Sequence, residues 1–330
     1  MPELPVIALE CLGQPDPHVH AGQVARAIAP VLDGSELVAV QGDTSSALGG
    51  ALGAQLAEVP VAHVEAGLRS HDRQNPWPEE DFRVAIDAAS DLLFAPTRLS
   101  ASNLRREKVG GLIRVTGNTE IDALLERIPM LRSPSERGAK RRLLVTCHRR
   151  ESWGEGLEAI ASCLRSIARR PDVWISLVLH PNPSVAETMR RLVEGTPNME
   201  LSQPCGHIEM LERMRDSDLI LSDSGGMQEE APALGIPLLI LRDRTERPEA
   251  IASGNMVLVG RDPDLIENTV VRLIDDPAVL SALRRPSFPY GDGRASQRIA
   301  DEIVSWLRRG FRPAEPRSPS LRSTTVPVAQ

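Results

Sequence analysis

Lysine is almost absent. The 330 residues contain Lys108 and Lys140 and no other, against 36 arginines. Neither lies in a Gly-Lys-Ser/Thr run, so no Walker-type phosphate loop is present. Both sit in charged, surface-like runs, a poor setting for the lysine of a pyridoxal-phosphate enzyme. Cysteine is as sparse: Cys11, Cys147, Cys163 and Cys205 are scattered without a CxxC. That spacing suggests neither a zinc site nor a disulfide framework and points to a reducing cytoplasm. No apolar run approaches the ~18 residues of a membrane span, and no basic segment precedes an apolar one at the N-terminus. The net charge of −7 and pI near 5.6 leave no basic field for nucleic acid. What remains, 41% hydrophobic and 25% charged residues, is an ordinary globular balance with length enough for two domains.

Short β-rich runs alternate with helical segments. Strands are expected at 37–41, 59–64, 92–95, 112–116, 142–146, 173–179, 219–222, 237–241 and 256–259. Several are nearly continuous apolar runs, as in parallel strands buried on both faces. Helices are expected at 47–58, 80–89, 99–108, 156–169, 227–234 and 295–307, with another near 20–32. The pattern is α/β, and a polar stretch with Pro and Gly at 130–141 suggests a boundary between two doubly wound halves. The expected division is an N-terminal Rossmann-like domain (1–132), a C-terminal one (141–288), a helix returning towards the first (289–307) and a disordered arginine- and proline-rich tail (308–330). In such sheets ligands bind beyond the carboxyl ends of the strands.

Polar clusters stand at these ends. Gln41-Gly42-Asp43-Thr44 follows the first strand and suits a turn and helix cap. His63-Val64-Glu65 ends the second, with Arg69 as a partner for Glu65; metal ligation by His63 and Glu65 lacks a supporting His/Cys cluster. Pro76-Trp77-Pro78 stiffens a loop before Glu79 and Glu80, acidic residues favoured in a first helical turn. Cys147-His148-Arg149-Arg150 follows the strand at 142–146 and suggests an anion site, against a solvated turn paired with Glu151. The most specific segment runs from the strand at 219–222 through Ser224-Gly225-Gly226 into a helix. Its glycines let a ligand approach the backbone, and its free N–H groups suit phosphate. Glu230, one turn on, is placed for ribose hydroxyls, and 242–249 closes the same face. This is not a GxGxxG dinucleotide loop; a sugar nucleotide in a two-domain cleft fits better.

Nine segments carry a resemblance in order: GDTSSA (42–47), HVEAGLRS (63–70), PWPEEDFR (76–83), VTGNTEIDAL (115–124), VTCHRRES (145–152), LHPNP (179–183), DSGGMQEEAPALGIP (223–237), RDRTERPEA (242–250) and PYGDGRASQRI (289–299). Together they resemble the non-hydrolysing UDP-N-acetylglucosamine 2-epimerases, two-domain proteins of glycosyltransferase-B type. The resemblance implies interconversion of UDP-GlcNAc and UDP-ManNAc by elimination of UDP to 2-acetamidoglucal and re-addition, with neither metal nor nicotinamide. It assigns acid/base work to Asp43, Glu65 and Glu79 and places His148 near the departing phosphate. Ser224, Gly225, Gly226, Glu230 and Arg247 match UDP-binding positions. Arg83, Arg149 and His180 match the substrate or a neighbouring regulatory site. A cytoplasmic homodimer serving polysaccharide synthesis is the further implication.

The sequence departs from that family in places. No Gly-Thr-Arg-Pro-Glu strand occurs before residue 30, so a first strand unit on the order of 50 residues is expected to be missing. Cys147 stands where the family has a smaller residue. Cys205 and Met210 stand where it has a glutamine and an aromatic near uracil. The rival readings are a UDP-sugar-binding protein without turnover, a hydrolysing 2-epimerase, and a glycosyltransferase of the same fold.

Overall fold

The structure is a computed structural model and describes residues 5–134, 138–147, 149 and 154–310. The segment expected to be a tail from 311 onward lies outside them, as do His148 and residues 150–153.

The first half runs α1 (Pro17–Ile28), β1 (Val38–Gln41), α2 (Ser45–Leu56), β2 (Val61–Val64), α3 (Glu79–Ala89), β3 (Leu92–Ala95), α4 (Arg98–Glu107), β4 (Leu112–Val115) and α5 (Thr119–Arg127). The second runs β5 (Arg141–Thr146), α6 (Glu155–Ile167), β6 (Val173–Val178), α7 (Pro183–Leu192), β7 (Met199–Ser202), α8 (His207–Arg215), β8 (Leu219–Ser222), α9 (Met227–Leu234), β9 (Leu238–Ile240), α10 (Glu249–Ala252), β10 (Met256–Leu258), α11 (Pro263–Asp275), α12 (Pro277–Leu283) and α13 (Ala295–Arg308).

These strands form two wholly parallel sheets. One has the order β1-β2-β3-β4 and the other β10-β9-β8-β5-β6-β7. The second is the doubly wound Rossmann order, and its direction reverses between β5 and β8. There the strand ends meet: the Thr146 and Ser222 hydroxyls are 2.6 Å apart. Strands β3, β8 and β9 are buried at every position, as the unbroken apolar runs required.

The expected strands are found with ends moved by a residue or two. One strand was not foreseen. β7 reads Met-Glu-Leu-Ser, pairs only with β6 and is fully buried at none of its positions, so no apolar run marks it. Side-chain caps start several of the helices: Thr97 accepts from Ser100 N (3.0 Å), and Asn118 from Glu120 N (3.3 Å).

Chain order and packing differ at two helices. Ile121 and Leu124 of α5 share a core with Leu144, Ile220 and Leu238 of the second sheet. Ile299, Ile303 and Trp306 of α13 pack on Ala62, Leu92 and Phe94 of the first. Asp122 of α5 joins the two helices, accepting from Ala295 N at 3.0 Å and Ser296 N at 2.6 Å.

Candidate active site

The ends of β1, β2, β5 and β8 carry the polar residues that come together. After β1, Thr44 caps α2 by accepting from Ala47 N at 3.2 Å. Asp43 is thereby left for another contact: its carboxylate accepts from Arg83 Nε at 3.0 Å and from Nη2. Arg83 is only 2% exposed and also donates to Glu80 at 3.0 Å. Glu80 in turn accepts from the backbone of Ser70 and His71, a bracing role within the first half.

After β2, Glu65 sits at φ 74°, a left-handed conformation that non-glycine residues seldom adopt and that clusters at functional sites. Its N–H and that of Ala66 both donate to Phe94 O at 3.1 Å. Arg69 is not its partner, contrary to expectation. The chain turns through Gly67 (φ 84°), and Arg69 is buried on Asp87 (2.7 Å) and Glu107 (2.6 Å). Glu65 instead accepts from Arg247 Nη2 at 2.6 Å, a residue 182 positions away in the second half. Nor is His63 aimed at a ligand. It is fully buried, with Nδ1 on Asp87 (2.6 Å) and Nε2 on Gly42 O (3.0 Å).

Glu79 opens α3 and accepts from Arg149 Nη1 at 3.3 Å, while its second oxygen is buried without a hydrogen bond. Arg149 is held after β5 by its own N–H, which donates to Asp223 at 2.9 Å. Asp43, Thr44, Trp77, Glu79 and Arg149 line one cavity of about 510 Å³. His180 does not line it; its Nδ1, past β6, accepts from Asn182 N at 2.8 Å. At the start of α9, a side chain on Gly225 would lie 2.9 Å from Arg247 Nη1 and 3.3 Å from Arg149 Nη2. Two guanidiniums therefore converge on a helix N-terminus, an arrangement suited to an anion.

The charges around Arg247 are dense and buried. It donates to Glu229 at 2.6 Å, to Glu65 at 2.6 Å and to Glu246. Burial pushes the Glu65 carboxyl above its usual range, against Arg247 and with help from Asp43. Burial likewise raises Glu229 to about 8. Burial opposes ionisation of Glu246 too, but Arg247, Arg242, Arg83 and Arg149 outweigh it and hold that carboxyl well below the usual range. Glu229 and Glu246, neither singled out by sequence reasoning, belong to motifs that it did mark.

Glu120, His207 and Glu230 bring donor atoms within 4.8 Å of one another. Burial and the carboxylates of Glu120 and Glu229 push Glu230 up to about 9. Its carboxyl is hydrogen-bonded to the His207 ring. No helix among the described residues is long and apolar enough to cross a membrane.

Two parallel sheets whose strand ends share an arginine-rich cleft define an α/β protein of glycosyltransferase-B type. The family description "UDP-N-acetylglucosamine 2-epimerase" matches residues 12–304. The UDP-N-acetylglucosamine 2-epimerase of Yersinia pestis is 43% identical over 293 residues, 84% of this chain and 78% of that protein. That of Escherichia coli K12 is 42% identical over 282 residues, 81% and 75% of the two chains. The crystal structure of UDP-GlcNAc 2-epimerase from Neisseria meningitidis, bound to UDP-GlcNAc, superposes with a TM-score of 0.85 at 34% identity, covering 89% of this chain and 84% of that one. The chain belongs to the UDP-N-acetylglucosamine 2-epimerase family and is an isomerase.

Proposed function

We propose that the chain interconverts UDP-GlcNAc and UDP-ManNAc by inversion at C2. No carbonyl acidifies the C2 proton, so direct deprotonation is slow. Elimination of UDP across C1–C2 avoids this. A base takes the C2 proton as the C1–O bond breaks, giving 2-acetamidoglucal and UDP. Protonation of C2 from the opposite face and return of UDP to C1 complete the reaction. Asp43, Glu65 and Glu79 are the acid/base set, and burial, which raises the Glu65 carboxyl, favours its holding a proton.

Ser224, Gly225, Gly226, Arg247 and Arg149 hold the UDP side, with Glu230 at the ribose. Arg83 orients Asp43, and His180 belongs to the neighbouring region. His148, outside the described residues, serves the departing phosphate. The chain acts without metal or nicotinamide, as a cytoplasmic homodimer built of two Rossmann-like domains. One observation carries the reading most: Glu65 after β2 and Glu79 at the start of α3 accept from Arg247 and Arg149 of the second half, and Asp43 after β1 lines the same cavity as Glu79 and Arg149.

Incubation with UDP-GlcNAc in D₂O is expected to place deuterium at C2 of both sugar nucleotides. Free UDP and free ManNAc labelled at C2, with no UDP-ManNAc formed, would identify a hydrolysing enzyme instead. Binding of UDP with no exchange would identify a non-catalytic binder.

A further inference from the structure

Glu246 lies in the loop after β9, is 2% exposed and does not line the cavity. Its Oε2 accepts from Arg242 Nη1 at 3.0 Å. Its Oε1 accepts from Arg247 Nη1 and stands 3.9 Å from Arg149 Nη2. Arg83 acts on it through space from α3. Three of these four cations also touch a different candidate acid/base: Arg247 on Glu65 (2.6 Å), Arg149 on Glu79 (3.3 Å) and Arg83 on Asp43 (3.0 Å). Two of them also meet beside Gly225.

We propose that Glu246 is a positioning residue, the common counter-ion that fixes Arg149 and Arg247 beside Gly225 and, with Arg83, sets the charge felt by Asp43, Glu65 and Glu79. The inference rests on the reading of those three carboxylates as the acid/base set. Its physical basis is geometric. Like-charged guanidiniums repel, and a buried anion in contact with several of them lowers the cost of their sharing one small volume. Among the described residues, the charged and titratable groups facing the cluster are Asp43 after β1, His63 of β2 and Glu65 after it, Glu79, Glu80 and Arg83 of α3, Glu120 of α5, Arg149 after β5, Glu229 of α9, and Arg242 and Arg247 of its own loop.

The test compares E246Q with E246D. E246Q is expected to lower kcat for C2 exchange by about 100-fold, the scale of a 1 Å misplacement, with KM little changed. With one negative charge gone, the arginines hold Glu65 ionised more firmly, so the acid limb of the pH–rate profile moves to lower pH. E246D keeps the charge with a shorter reach and is expected to leave that limb in place while losing part of kcat. The unliganded crystal structure of E246Q should show Arg149 or Arg247 displaced from Gly225. Both guanidiniums in place with unaltered kcat and acid limb would overturn the proposal. So would unaltered kcat in E246D, or equal losses of kcat and melting temperature in both variants with no movement of the limb. Absence of C2 exchange in the unsubstituted chain, with arginines displaced in E246Q, would instead refute epimerisation and leave the positioning role standing.

Discussion

Gly225→Ala separates the anion site from the fold. The added Cβ would lie 2.9 Å from Arg247 Nη1 and 3.3 Å from Arg149 Nη2, both inside the 3.4 Å where ordinary contact begins. The Arg247 guanidinium must give way by about half an ångström, and its contacts with Glu65 and Glu229, each 2.6 Å, leave it little slack. Both clashing atoms are the far ends of long side chains, so the backbone need not move. Stability should therefore fall by about 1 kcal/mol, the low end of overpacking, or a few degrees in melting temperature. Anion binding should suffer more. Losing or misdirecting one charge-assisted hydrogen bond costs about 1.5–3 kcal/mol, which is roughly 10–150-fold in affinity. Calorimetric titration with UDP beside a melting curve measures both quantities. Wild-type UDP affinity in G225A would refute the argument that Arg149 and Arg247 meet a phosphate over this glycine. A drop of ten degrees or more in melting temperature would show that the position serves the fold instead.

Glu230→Gln should reveal the strain of a buried carboxyl. The folded value of about 9 is raised above the ordinary one, so its contribution to stability is complete below about pH 4.5 and is lost as pH rises through about 9. The amide carries no such dependence. E230Q should gain on the parent by a few kcal/mol between pH 5 and pH 9, at 1.36 kcal/mol per pH unit; melting curves that stay parallel at both pH values would contradict this. His63→Ala removes a fully buried ring from Asp87 and Gly42 O. Denaturant unfolding should show a loss of about 3–5 kcal/mol, as for other broken buried pairs, whereas a loss under 1 kcal/mol would mean that Arg69 and the Gly67 N–H already satisfy Asp87.

Much of the architecture was legible because its causes are local. Apolar runs such as Leu-Leu-Phe-Ala at 92–95 and Leu-Ile-Leu-Ser at 219–222 have one stable placement, the middle of a parallel sheet. Helix α9 begins and ends at the residues expected, since Gly225-Gly226 precede it and Gly235 closes it in a left-handed cap. β7 escaped notice because an edge strand buried at no position needs no apolar signature. The partner of Glu65 was misjudged for a related reason. Arg69 is four residues away and Arg247 is 182, and spacing along the chain says nothing about which of two arginines the fold brings near.

The order of residues by itself determined the alternation of strand and helix, the absence of a lysine-based phosphate loop, and the placement of polar clusters at strand ends. Each follows from side-chain chemistry and periods of two or 3.6 residues, which act over one element. Only the tertiary structure decided the charge of the site. Glu65, Glu229, Glu230 and Glu246 are the same residue type within one small volume. Burial raises the first three, while four converging guanidiniums hold the last far down. Desolvation and Coulomb energy depend on what surrounds a group in space, and those surroundings come from segments that meet only when both halves have folded.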